Sequence, residues 1–299
     1  MASLICGSLA FDTIMSFEGR FADQILADQL HILNVSFLVP ELRRDFGGCA
    51  GNIAYSLKAL GGEPRPMAAL GRDGGEYISR LQDLGISTQH VLAVDDTYTA
   101  LAMIMTDRDN NQITAFHPGA MAQAHRLQIK PDPQIRLGII SPDGRDAMLL
   151  HAEQMKTAGI PFVFDPGQGL PMFDGVELRR FIDQATWVTV NDYEGKMLSD
   201  RTGLDSAAIS RQVRGLVVTL GAQGCEVWVD GQMTHVPPVA PTAVVDPTGC
   251  GDAWRGALLF GLEQGWDLLR CAALGNRVGA RKIAHRGPQN YTVSDLLSA

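Results

Sequence analysis

The residues best suited to chemistry lie near the end of the chain, at positions 244–259, Val-Val-Asp-Pro-Thr-Gly-Cys-Gly-Asp-Ala-Trp-Arg-Gly-Ala-Leu-Leu. This run reads as a short buried strand, a turn that glycine permits, and a helix whose first turn carries Asp252. The first N–H groups of a helix lack partners and carry partial positive charge, so a glycine-rich approach to them suits a phosphate. A carboxylate at that place can take a proton from an alcohol while the N–H groups of Gly249, Cys250 and Gly251 hold the phosphoryl group under attack. The simpler alternative is that Asp252 complements the helix dipole and the glycines make a turn. This run alone does not separate the two.

Other residues have types and places that would serve the same reaction. Phe46-Gly47-Gly48-Cys49-Ala50-Gly51-Asn52 leads into Ile53, Leu57 and Leu60 at helical spacing, with Gly61 as a stop. Glycines let the backbone approach a ligand, and Asn52 offers both a donor and an acceptor. The device occurs twice in the chain, as a two-substrate reaction requires. Asp12 follows the first apolar strand, where the ligand crevices of open α/β sheets lie; a lone Asp also suits a turn or cap. Asp165 with Gln168 ends a later strand, and Asn191-Asp192-Tyr193-Glu194 ends the next. Asn191 and Glu194 stand at i and i+3, so they hold Mg²⁺ largely through water or form an N-cap with Glu at N3; local sequence favours the cap.

The elements that must position these residues follow from periodicity. Strand and helix alternate with short connections: strands at 3–6, 137–140, 161–165, 187–190 and 216–220, helices at 145–158, 178–185 and 268–283. That rhythm predicts a mostly parallel sheet with helices on both faces. A hairpin, 225–229 and 232–236, turns at Asp230-Gly231. Arg277, Arg281 and Lys282 on the 268–283 helix read as a solvated face, with nucleotide contact as the alternative. Residues 13–44 alternate apolar and polar in part, notably at 31–39; so do 99–106 and 112–116, separated by the turn-forming 107–111. These predict a small sheet with one wet face, a lid over the larger domain. The division is a core of 1–12, 47–98 and 118–299 and a lid of 13–46 and 99–117. Phe17, Phe37, Phe46 and Phe116 either line the inner face of the lid against a flat ligand or pack the lid itself.

Composition excludes several classes. Among 299 residues, 33 acidic against 25 basic side chains disfavour a nucleic-acid or anionic-membrane surface. Five scattered cysteines without a CxxC pair indicate neither a disulfide framework nor a zinc site, and suit a reducing cytoplasm. The start lacks the basic region of a signal peptide, and no stretch reaches the roughly 18 apolar residues of a membrane span. A P-loop and a Gly-x-Gly-x-x-Gly after the first strand are both missing, which sets aside P-loop and nicotinamide enzymes.

Taken together, Gly47-Gly48-Cys49-Ala50-Gly51-Asn52 and Asp246-Pro247-Thr248-Gly249-Cys250-Gly251-Asp252 resemble the two signatures of the ribokinase (PfkB) family of sugar and nucleoside kinases. Asp12, the Asn-x-x-Glu at 191–194 and the Thr-Leu-Gly at 219–221 fall where that family has them, so the likeness spans nearly the whole chain. The resemblance implies a ribokinase-like α/β three-layer sandwich with a β-sheet lid, and ATP-dependent phosphorylation of a hydroxymethyl group. It implies Asp252 as the base, the N–H groups of residues 249–252 as the anion hole, and Asn191 and Glu194 as the Mg²⁺ and phosphate motif. Asp12, Gly48 and Asn52 would grip sugar hydroxyls. Thr219, Gly221 and Gly224 would form the ATP loop, with Asn276, Ala284 and Gly287 near the adenine. Many members use a monovalent cation such as potassium, whose ligands would begin at Asp246 and Thr248.

The Phe46–Asn52 block and the run Asn-Asn-Gln-Ile-Thr-Ala-Phe-His-Pro-Gly-Ala at 110–120 look most like bacterial nucleoside kinases of the adenosine kinase type. A base needs flat apolar walls and a few edge hydrogen bonds; Phe46 and Phe116 would supply the walls and Asp165 or Gln168 the edge. A ribokinase or fructokinase would need fewer aromatic walls. The family contains monomers and lid-mediated homodimers, and a non-catalytic ligand sensor would keep the fold without needing Asp252, Asn191 and Glu194 together.

Overall fold

The computed structural model describes residues 2–25, 32, 34–109 and 111–297. In chain order the strands are β1 (Ala2–Cys6), β2 (Ala10–Ser16), β3 (Glu41–Gly47), β4 (Pro64–Gly71), β5 (Val91–Val94), β6 (Ala100–Thr106), β7 (Gln112–His117), β8 (Ile135–Ile140), β9 (Phe162–Phe164), β10 (Trp187–Asn191), β11 (Gly215–Thr219), β12 (Cys225–Val229) and β13 (Gln232–Val236). The helices are α1 (Phe21–Gln24), α2 (Cys49–Ala59), α3 (Gly75–Asp83), α4 (Arg145–Thr157), α5 (Gly175–Gln184), α6 (Asp192–Thr202), α7 (Ser206–Ser210), α8 (Cys250–Glu263) and α9 (Leu268–Ile283). No helix among the described residues is long and apolar enough to cross a membrane.

The large sheet runs β13-β12-β11-β10-β9-β8-β1-β4-β5, parallel from β11 to β5 with an antiparallel hairpin, β12 and β13, at one edge. Successive side chains of a strand face opposite ways, so both faces of this sheet are apolar and both are covered. Ile5, Ile139, Val163 and Val217 pack with Ile53 and Leu57 of α2, Ala257 and Leu258 of α8 and Leu274 of α9. Their chain neighbours Leu4, Ile140, Phe164 and Val218 pack on the other side with Met148 of α4, Phe181 of α5 and Leu198 of α6. Each such buried side chain contributes about 1.5–3 kcal/mol, so the two layers hold the sheet between them. The β12–β13 turn has φ of 50° at Asp230 and 79° at Gly231, which Asp-Gly accommodates.

The small sheet runs β3-β2-β6-β7, with β2 parallel to β6 and the other pairs antiparallel. In register, Asp12 stands beside Asp45 and Ala102, which in turn stands beside Phe116; these alternate with the opposite face. Two strand assignments differ from expectation. Residues 34–39 form no strand; Pro40 removes a backbone donor just before β3, Leu38 is exposed, and Phe37 packs on Phe17 and Phe21 at 5.0 and 5.2 Å. His31, Leu33 and Asn110, parts of the expected alternating run and turn, lie outside the described residues. Val244 and Val245, expected as a buried strand, are exposed and bear no strand; Val245 is tied by its N–H to the Ile283 carbonyl at 2.8 Å. Among the other expected elements, the hairpin and the helix at 268–283 match the observed ranges, and the remaining ones differ at their ends.

Helices α2 and α8 approach closely because Gly256 has no side chain: a Cβ there would overlap Ser56 Cβ and press on the Ile53 carbonyl at 3.0 Å. That approach brings the first turns of two helices about 200 positions apart together, as the Asn52–Asp252 pair shows with its separation of 200. A Gly256→Val substitution should therefore push the helices apart and cost about 1–3 kcal/mol of overpacking strain. A urea midpoint equal to that of the unsubstituted protein would contradict this reading of the helix contact.

Candidate active site

A cavity of about 920 Å³ lies between the small sheet and the carboxyl ends of the central strands. A second depression, about 560 Å³, lies at the amino ends of β9, β10 and β11 and has basic side chains but no carboxylate. Ligands of open α/β sheets bind at the carboxyl ends, and the acids gather there too.

The floor of the cavity is the start of α8. Gly249 is its N-cap with φ of 75°, and a Cβ there would meet Pro288 Cβ at 2.6 Å, so glycine is required. No side chain caps this helix. The Cys250 N–H donates to the Pro247 carbonyl at 3.1 Å, whereas those of Gly249, Gly251 and Asp252 have no partner among the described residues. The expected anion hole is thus open at three of its four positions, with Cys250 serving the turn.

Asp252 Oδ2 accepts a hydrogen bond from Asn52 Nδ2 at 2.8 Å. Asn52 Oδ1 accepts from Gln289 Nε2 at 3.1 Å; the same Nε2 lies 2.9 Å from the Tyr77 hydroxyl, which donates to the Gly47 carbonyl at 2.7 Å. Asn52 was expected to grip a sugar hydroxyl. Its amide lines the cavity and also holds the acid: one N–H goes to Asp252 and one Oδ1 lone pair to Gln289, which leaves a second N–H and a second lone pair. Gly48 has φ of 84° and lets the backbone pass Ser8 and Ala10, where a Cβ would stand 2.5 Å from the Ser8 carbonyl oxygen. Burial pushes the Asp252 carboxyl up to about 6, with the Asn52 hydrogen bond and Arg255 pulling the other way. Asp12, inside β2 and at neither a turn nor a cap, lines the cavity; burial first, then Asp45 and Asp252, raise it to about 6.

Arg255, one turn beyond Asp252, is a residue that motif reading passed over. It is buried, donates from Nε and Nη2 to the two oxygens of Asp165 at 2.9 Å each, and lies 3.9 Å from Glu194 Oε2. Asp165 lines the cavity with each of its oxygens already taking one guanidinium N–H. The one available signal was an arginine amid the apolar residues of the α8 sequence.

The walls separate the expected aromatics. Phe116 is 51% exposed and lines the cavity with Ala102, Ile104 and Gln168. Phe46 does not line it; one position from Asp45 on β3, it faces the other way and packs on Phe11 at 5.8 Å and Tyr77 at 5.1 Å. Phe17 and Phe37 form a separate cluster with Phe21.

Thr219 and Gly221 line the far end of the cavity beside Asn191 and Glu194. Gly224, Asn276, Ala284 and Gly287 do not. Asn276 donates to the Pro237 carbonyl at 2.9 Å and accepts from Trp254 Nε1 at 3.1 Å, tying α9 to its neighbours. Asn191 and Glu194 close a reciprocal capping box, with Glu194 N–H to Asn191 Oδ1 at 2.7 Å and Asn191 N–H to Glu194 Oε2 at 2.8 Å. Glu194 Oε1 has no hydrogen-bond partner among the described residues. Its carboxyl is raised by burial and by Asp165, with Arg255 opposing. No group of three His, Cys, Asp or Glu side chains among the described residues forms a metal cage. A Mg²⁺ ion at Glu194 would draw most ligands from phosphate and water, as that ion prefers, so the residues fit it.

The monovalent-cation expectation fares differently. Asp246 Oδ1 accepts from the Thr248 N–H at 2.9 Å, and Oδ2 accepts from the Gly287 N–H at 2.9 Å and Arg43 Nη2 at 3.2 Å. Lys282, expected on a solvated face, is fully buried with its ammonium on the Asp246 carbonyl at 2.6 Å. The residues present do not fit a bound potassium ion.

Comparison with known proteins finds relatives of the same fold. Burkholderia thailandensis nucleoside kinase, solved in complex with inosine, is 50% identical, with a TM-score of 0.88 over 98% of this chain and 94% of that one. The same enzyme in complex with ADP-inosine is 51% identical, with a TM-score of 0.86 over 98% and 92%. Methanocaldococcus jannaschii nucleoside kinase, an archaeal member of the ribokinase family, is 27% identical, with a TM-score of 0.90 over 100% and 97%. Those neighbours share the three-layer α/β architecture with its small second sheet. Residues 18–295 match the pfkB family carbohydrate kinases, and the chain belongs to that family.

Proposed function

We propose that the protein is an ATP-dependent nucleoside kinase that transfers a phosphoryl group to the 5′-hydroxyl. The observation that carries this reading is Asp252, an acid at the N-terminus of α8 with the open N–H groups of Gly249 and Gly251 beside it, on the floor of a cavity that Phe116 overhangs. A volume of about 920 Å³ is enough for two small substrates at once. The apolar wall of Ala102, Ile104 and Phe116 suits a base more than a bare sugar, and the inosine complexes of a relative at half identity support the same choice.

In this reading the nucleoside lies under the small sheet, with its ribose hydroxyls at Asp12 and its base against Phe116 and near Gln168. The triphosphate extends from Thr219 and Gly221 toward α8. Asp252 accepts the proton of the 5′-hydroxyl as its oxygen attacks, and Asn52 holds the carboxylate in line. The N–H groups at the start of α8 receive the charge that develops on the transferring group, a preorganised role that needs no motion at the moment of reaction. Mg²⁺, when bound at Glu194 and the phosphates, would supply charge neutralisation there. Arg255 keeps Asp165 paired and steadies the first turn through the Gly251 carbonyl at 3.3 Å.

Replacing Asp252 with Asn keeps the shape and removes the base; kcat should fall by ~10²–10⁴ with little change in nucleoside affinity. Near-normal turnover in that variant would refute the assignment. Because both Asp252 and Asp12 are raised to about 6 and work ionised, kcat/KM should drop as pH falls through that value, by about tenfold per pH unit or more steeply if both carboxyls act. A profile flat between about pH 8 and 5 would show that neither group is required in its charged form. Phe116→Ala should raise KM for nucleosides by roughly 2–10-fold, the worth of one aromatic stack, and leave ribose or fructose unaffected. Equal effects on nucleosides and free sugars would favour the sugar-kinase alternative.

A further inference from the structure

Lys282 is the one lysine among the described residues with no solvent exposure, and its surroundings are built for a cation. It stands in the last turn of α9. Its Nζ donates to the Asp246 carbonyl at 2.6 Å and lies 3.4 Å from the His285 carbonyl and 4.0 Å from Asp246 Oδ1. The other lone pairs of the Asp246 carboxylate go to Thr248, Gly287 and Arg43. Three segments thus converge on one ammonium: the end of α9, the turn at residue 285, and the approach to α8. Burial of a charged amine is costly unless oxygens replace its water, and here two carbonyls and a carboxylate do so. Desolvation lowers its pKa, and Cys250 and Asp246 oppose that shift.

A dehydrated potassium ion beside the anion hole would need the same oxygens, since it exchanges its hydration shell for carbonyls and carboxylates. Those oxygens already face an ammonium. A second cation about 4 Å from Nζ would bind roughly a thousandfold more weakly at the effective dielectric of a protein site. We propose that the Lys282 ammonium is a built-in monovalent cation that braces the turn from Asp246 to Gly251, so that this chain needs no potassium. The ammonium holds the Asp246 carbonyl from behind, and the turn then presents Gly249 and Gly251 N–H groups to the phosphoryl group at a fixed angle. The Thr248 and Gly287 contacts to the same aspartate make the brace three-sided.

The test uses enzyme dialysed into tetramethylammonium chloride, with potassium, ammonium or sodium chloride added at constant ionic strength. Its kinetic arm rests on the phosphotransfer reading; its thermal arm does not, so the two ideas fail separately. Turnover of the unsubstituted enzyme should change by less than about twofold, and potassium should leave its Tm where tetramethylammonium does, because an ion that does not bind the folded state cannot stabilise it. Lys282→Met keeps the stem and removes the charge. That variant should lose about tenfold or more in turnover, regain part of it with potassium or ammonium, and gain a potassium-dependent rise in Tm. Potassium activating the unsubstituted enzyme about tenfold, or raising its Tm, would overturn the proposal. So would a Lys282→Met enzyme with full activity in tetramethylammonium. Should Lys282→Met not fold, the unsubstituted enzyme still decides the matter through both arms.

Discussion

The hydrogen bond from Asn52 to Asp252, 2.8 Å long, is the constraint on which the rest of the structure depends. It joins the first turns of α2 and α8, and each of those turns opens with a glycine in a left-handed or near-left-handed conformation. An acid at such a place has two competing tendencies. Helix N–H groups attract its negative charge, and burial opposes that charge. Burial prevails and raises the carboxyl to about 6, which leaves it ionised near neutrality. That balance gives a base that is deprotonated and still able to take a proton. The packing at Gly256, the layer of apolar strands beneath and the Gln289–Tyr77 chain behind Asn52 all hold that one pair in place.

Around it the charges are allotted in pairs. Asp165 has Arg255, Asp45 has Arg43, and Asp246 has Arg43 and Lys282. Asp12 and Asp252 alone among these five aspartates have no cation within salt-bridge reach among the described residues. Both line the cavity, as the arginine-paired Asp165 also does, and both have carboxyls raised to about 6. The paired acids are held by cations of the protein, and the unpaired ones are left open to the cavity. A protein with a net charge of −8 can still receive a polyphosphate here because backbone N–H groups, not surface charge, make the receiving end.

Much of the core was legible in the sequence because its signals are local. The glycine turn before Asp252, the apolar strands of the middle third, the Asp230-Gly231 hairpin and the α9 period each need only neighbouring residues to read. What was not legible depends on distant partners. Asp165 looked like a free acid at a strand end until Arg255, 90 positions away, took both its oxygens. Phe46 pairs with Phe11 and Asp45 with Asp12, so which face of the small sheet Phe46 takes rests on the register of β3 against β2, and sequence does not state that register. Lys282 sits among charged neighbours that are solvated, and only the end of α9 folding back on Asp246 shows that it is buried. Residues 34–39 alternate without pairing, which shows that alternation marks a strand only where a partner edge is available.

The central claim is that the site at the start of α8 moves a phosphoryl group onto a nucleoside. Phosphorus NMR of a mixture of the protein, ATP, Mg²⁺ and inosine follows both fates of that group at once. The account predicts a 5′-monoester that grows in step with ADP, with no inorganic phosphate. ADP accompanied only by inorganic phosphate, or a spectrum that does not change, would contradict it.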